Sequence, residues 1–142
     1  MPASETPASE PTLVTAPELL PVLEELRKRE PVFHHPEFGL SRSDIERYTD
    51  RNFWEVGASG RRYSREYVLH VLEERHQTPT EDRWRTTDFY CQEIAQDNYL
   101  LTYTLFQGER VTRRLSLWRR VRGDWKVLFH QGTLVADEAS RG

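Results

Sequence analysis

The sequence predicts an α+β fold: helices first, then a long antiparallel meander, with the helices covering one face of the sheet. Three observations carry this. Apolar residues recur at helical spacing as far as Leu72, and after Thr80 the pattern changes to period two and stays there. The pairs Gln107-Gly108 and Arg122-Gly123 then mark tight turns that cut the later region into hairpins. Finally, 142 residues make one domain, long enough to bury a real core.

The start, MPASETPASEPT, repeats PASE and is rich in Pro, Ser, Glu and Ala, so residues 1–14 form a disordered tail. It has neither a basic region nor an apolar one, which excludes a signal peptide. A single domain spans 15–136, and 137–142 form a C-terminal tail. Thr15 with Glu18 has capping-box spacing, and Leu19, Val22, Leu23 and Leu26 form one apolar helical stripe. Pro21 is tolerated only near the helix start, and Pro31 stops the helix after Glu30. PVFHHPEFGL, with two prolines and a glycine, is a loop. Ser43 with Glu46 repeats the capping-box spacing and opens a short helix to about Tyr48. NFWEV is a short strand and GASGRR a turn. Ser64 caps a third helix whose apolar edge is Tyr67, Val68, Val71 and Leu72. Long strands follow at about 84–95, 98–107, 110–122 and 124–135.

Register decides which side chains share a face. A three-residue loop, Val121-Arg122-Gly123, pairs Arg120 with Asp124 and gathers Arg114, Ser116, Trp118, Leu128 and His130 on one face. Leu115, Leu117, Val121, Trp125, Val127, Phe129 and Gln131 take the other. A two-residue Gly123-Asp124 loop is the alternative, and it mixes these sets. A Gly108-Glu109 loop in the earlier hairpin adds Tyr99, Leu101 and Tyr103 to the His130 face. The helices cover only one side of such a sheet, so the second apolar face calls for another surface, most simply a second subunit.

A net charge of −3 argues against a general nucleic-acid binder. Six arginines lie between Arg110 and Arg122, but strand alternation splits them across two faces. Cys91 is the single cysteine, which excludes an internal disulfide and fits a reducing, cytoplasmic compartment. No apolar run reaches the roughly 18 residues of a membrane helix.

Two segments, NFWEVGASGRRYSRE (52–66) and VTRRLSLWRRVRGDWKVLFHQGT (111–133), resemble the nuclear-transport-factor-2-like superfamily. More narrowly they resemble bacterial domain-of-unknown-function family 4440, in which a Phe-x-Glu-x-Gly-x-Ser-Gly turn accompanies a terminal Phe-His-Gln-Gly-Thr strand. The resemblance covers about residues 18–135. It implies a curved sheet wrapped around a cone-shaped cavity that about three helices cover, and commonly a homodimer. It does not imply one activity, because the superfamily holds isomerases, dehydratases, cyclases and non-catalytic modules.

Within that cavity His130 is the candidate acid or base, since an unperturbed imidazole titrates near neutrality. Glu55, before the Gly-Ala-Ser-Gly turn at the implied cavity mouth, is its charged counterpart. Either residue also has a purely structural role open to it, as a core histidine or as the partner of Arg114. Arg114, Tyr103 and Trp118 would suit an anionic ligand, the guanidinium as fork and the rings as walls. Tyr63 could add its hydroxyl. HHPE (34–37) lacks a recognised metal-ligand spacing, so neither a metal nor another cofactor is expected, and the loop is better placed as a lid. Two function classes remain open: a cofactor-independent acid–base enzyme on a small polar or anionic metabolite, and a non-catalytic ligand- or protein-binding module.

Overall fold

A computed structural model describes residues 10–30, 41–77 and 84–136. The loop PVFHHPEFGL with its HHPE lid, residues 1–9 of the tail and residues 137–142 lie outside the described residues. A 3₁₀ turn at Pro17–Leu19 leads into α1 (Leu20–Arg29), with Glu30 as its C-cap. Pro21 falls in the first turn of α1, where its missing N–H removes no helical hydrogen bond. The Thr15–Glu18 box does not form. The Thr15 hydroxyl accepts from the Cys91 N–H at 3.1 Å instead, so it ties the chain to a strand rather than capping the helix. Before Thr15, Glu10 pairs with Arg113 at 2.7 Å.

Helix α2 (Arg42–Tyr48) is capped by Ser41, two residues before the expected cap Ser43. Ser41 and Asp44 make the reciprocal capping box, the Asp44 N–H donating to the Ser41 hydroxyl and the Ser41 N–H to the Asp44 carboxylate, while Glu46 pairs with Arg42 instead. Strand β1 (Thr49–Val56) follows, then β2 (Arg62–Ser64) and α3 (Arg65–Gln77). Ser64 does cap α3, accepting from the Tyr67 N–H at 3.2 Å. The buried face of α3 adds Leu69 to Val68 and Leu72, while Tyr67 is exposed.

Strands β3 (Trp84–Ala95), β4 (Asn98–Gln107), β5 (Arg110–Val121) and β6 (Asp124–Leu134) form the expected meander. The sheet has six strands in the order β2-β1-β6-β5-β4-β3, and β1 runs parallel to β6, so it is mixed. Its inner face packs Leu101, Leu105, Trp118 and Val127 against Val22 and Leu26 of α1 and Val68 and Leu69 of α3.

The β4–β5 hairpin has the expected register, Gln107 opposite Arg110. The β5–β6 hairpin does not. Its loop is Arg122-Gly123, both with positive φ (52° and 83°), which is a two-residue turn of the hairpin type, and Val121 pairs Asp124. An extra residue, Leu128, then bulges out of β6, because Trp118 pairs Val127 while Leu117 pairs Phe129. Below the bulge Ser116 pairs His130 and the expected faces hold. Above it the faces of β6 invert, while those of β5 stay as expected. Trp125 and Val127, expected outside, are buried in the core.

Candidate functional site

The FHQGT segment owes its composition to two neighbours. His130 turns inward, opposite Ser116 on β5 and beside Glu55 on β1. Gln131 is on the outer face with Leu115. Gly132 follows because Arg114 lies flat across it: a Cβ there would come within 2.6 Å of Nη1 and 2.8 Å of Cζ. The Arg114 Nε donates to the Thr112 hydroxyl at 2.9 Å, which orients the guanidinium. Gly57 has a similar task on β1's far end, leaving room for the Tyr63 ring at 2.9 Å from the missing Cβ.

A cavity of about 270 Å³ lies between β1, α3 and the inner sheet face. Glu55, Tyr63, Arg114 and His130 all line it, with Trp84 and Gln107 on the opposite wall. Apolar residues of α3, Val68 and Leu72 among them, form its roof. Tyr103 and Trp118 do not line this cavity. Both are buried behind it, and both point at a residue that sequence reasoning missed, Glu30.

Glu30 is 1% exposed at the end of α1. Its carboxylate accepts from the Tyr103 hydroxyl at 2.7 Å, the Ser116 hydroxyl at 2.9 Å and the Trp118 indole N–H at 2.7 Å. Burial pushes its pKa up to about 7, against the pull of those three donors and of Arg114. Tyr103 is raised well above its usual range, by burial first and then by Glu30. His130 moves the other way: burial, with Arg114 adding repulsion, lowers it to about 3. At neutral pH the imidazole is therefore uncharged. Its Nδ1 lies 2.7 Å from the Ser116 Oγ and 3.7 Å from Glu30 Oε1, so Ser116 bridges the two. With Ser116 donating to Glu30, Nδ1–H donates to Ser116 and Nε2 carries the lone pair. The pocket thus joins a fixed cation, a carboxylate on β1 and a neutral imidazole whose tautomer is set from behind.

A second concavity of about 710 Å³ lies along β4, β5 and the segment before Thr15, lined by Leu13, Asp88, Tyr103, Arg113, Arg114 and Gln131 among others, so Arg114 borders both spaces and Tyr103 only this one. Arg113 there pairs with Glu10 and Asp88, and Arg119 with Asp50 at 2.7 Å, so acidic partners interrupt the arginine run. Among the described residues no three His, Cys, Asp or Glu side chains converge as a metal-ligand set, and no helix is long and apolar enough to cross a membrane.

No family model matches the sequence, and no curated protein matches it significantly. Solved structures do match in three dimensions. A nuclear-transport-factor-2-like protein from Cytophaga hutchinsonii aligns at TM-score 0.59 and 13% identity, over 86% of this chain and 100% of that one. A protein of unknown function from Pseudomonas aeruginosa, described as similar to the same factor, aligns at 0.63 and 12%, over 80% and 96%. An uncharacterised protein with a cystatin-like fold from Caulobacter vibrioides aligns at 0.63 and 14%, over 87% and 92%. The chain has the nuclear-transport-factor-2-like fold. The narrower likeness to family 4440 rests on the two sequence motifs alone.

Proposed function

We propose that the 270 Å³ cavity binds a small anionic molecule against Arg114 and presents it to His130. One observation carries this: the guanidinium is seated over Gly132 on the inner face, in the same pocket as a neutral imidazole and the Glu55 carboxylate. A fixed guanidinium is a bidentate partner for a carboxylate or phosphate. The volume suits a small metabolite, since drug-sized ligands occupy about 300–1,000 Å³. Acid–base turnover such as isomerisation, dehydration or hydrolysis is the use that His130 and Glu55 support. A purely binding role needs only Arg114 and the apolar roof.

Benzoate against benzamide tests the anion site, because the two differ chiefly in charge. Calorimetry should show benzoate binding at least roughly tenfold tighter than benzamide, as a charge-assisted contact of this kind is worth about 1.5–3 kcal/mol. Arg114→Gln should abolish that preference. Gly132→Ala should do so too while keeping the fold, since the obstructed atoms belong to the movable end of an arginine. Equal affinities in the unchanged protein would reject the proposal.

The outer sheet face supports a homodimer. Leu115, Leu117 and Phe129 lie there half-buried, and Trp54, 44% exposed, packs on Phe129 with ring centroids 4.6 Å apart. A second copy covering this face would bury on the order of 2,000 Å² in total.

A further inference from the structure

We propose that a proton taken from a ligand at His130 Nε2 comes to rest on Glu30, relayed through Ser116, without an imidazolium forming. The inference rests on the pocket proposed above and deepens it. Glu30 Oε1, Ser116 Oγ and His130 Nδ1 form a continuous chain at 2.9 and 2.7 Å, and all three residues are buried. An ordinary histidine base becomes cationic, which burial and Arg114 both oppose here. The relay avoids that state. The ligand's X–H bond breaks as Nε2–H forms, and its electron pair stays on the ligand, facing Arg114. The Nδ1–H bond breaks as a new Oγ–H forms, and the old Oγ–H breaks as Oε1–H forms. The imidazole ends neutral in its other tautomer, Ser116 is regenerated, and negative charge has moved from Glu30 to the ligand.

Ser116 is a bridge and not a nucleophile: it is fully buried and meets Nδ1, the nitrogen turned away from the lone pair. Tyr103 and Trp118 hold the carboxylate while its charge changes, each as a donor that remains a donor. Among the described residues the charged or titratable groups around this chain are Tyr103 on β4, Arg114 on β5 and, beside His130, Glu55 on β1. Glu30 acts through His130 and is a positioning and proton-accepting residue. Its value near neutrality, about 7, suits that task.

Long-range ¹H–¹⁵N spectra of the His130 ring, recorded over roughly pH 5 to 9, read the tautomer directly. In the unchanged protein the Nδ1–H form should dominate at high pH and the Nε2–H form at low pH. The change should track the infrared carboxyl band of Glu30, centred near its pKa of about 7. Ser116→Ala should leave the carboxyl titrating but the tautomer ratio constant, and Glu30→Gln should abolish the carboxyl band. Imidazolium signals in this range, or a tautomer ratio that stays constant in the unchanged protein while the carboxyl titrates, would overturn the relay. A tautomer change that persists in Ser116→Ala would overturn the route through Ser116. None of these outcomes depends on benzoate affinity, so the relay and the anion site can fail separately.

Discussion

Val127→Asp should abolish folding rather than split a dimer. Val127 has no exposed surface and packs in the core with Trp118 and Leu26. A carboxylate there would have to shift its pKa by several units or remain charged without water, at a cost of roughly 5 kcal/mol or more. Loss of the buried valine adds about 2 kcal/mol. Together these rival the whole stability of a domain, about 5–15 kcal/mol. Leu117→Glu, on the outer face, should behave oppositely: a folded chain, shifted from dimer to monomer at micromolar concentration. Circular dichroism with sedimentation separates the two. Folded Val127→Asp protein would contradict the bulge at Leu128, and a monomeric unchanged chain would contradict the homodimer.

The second large effect is on stability against pH. The lowered pKa of His130 means that its contribution is complete above 6.5 and is lost as pH falls toward 3, because the unfolded chain takes up the proton first. Glu30 has the reverse sign: its raised pKa means that the folded state holds a proton the unfolded chain has released, so stability falls as pH rises from 4.5 to about 7. Each effect is on the order of 3–5 kcal/mol over its full window. Between 4.5 and 6.5 the two oppose one another, and their sum is nearly flat. Single substitutions expose each part. Relative to the unchanged chain, His130→Gln should lose the decline in acid and show stability falling from pH 4.5 to 7, while Glu30→Gln should show it rising up to 6.5. Denaturant unfolding across this range reads both slopes. Parallel profiles for all three proteins would mean that neither group is held as described.

Much of this was legible in the chain. Period-two alternation gives β4 its observed ends, since a strand stops where the alternation meets turn residues, whereas β3 keeps its expected ends despite irregular pairing around Asp88. The inner placement of Arg114, Tyr103 and His130 followed from the same alternation. The bulge was not legible, because Trp125, Val127 and Phe129 alternate with Lys126 and Leu128 as an unbroken strand would. Nothing in that run announces an extra residue, and a bulge of one residue exchanges the faces beyond it. Glu30 did leave a signal. The stripe Leu19, Val22, Leu23 and Leu26 continues at position 30, so a carboxylate occupies the place where the next apolar residue belongs. Such a charge on a buried stripe requires partners, and Tyr103, Ser116 and Trp118 supply them from strands more than 70 residues away. Their convergence depends on how α1 lies across the sheet, which local pattern does not specify.

An anion held by Arg114 against His130 is tested most directly by titrating benzoate into ¹⁵N-labelled protein while following the Arg114 Nε and His130 ring signals. Both should shift together with one dissociation constant, and in Arg114→Gln, which lacks the first signal, the His130 ring signals should show no saturable shift. Shifts confined to Leu115, Gln131 and the outer face, or no saturable shift at all, would contradict it.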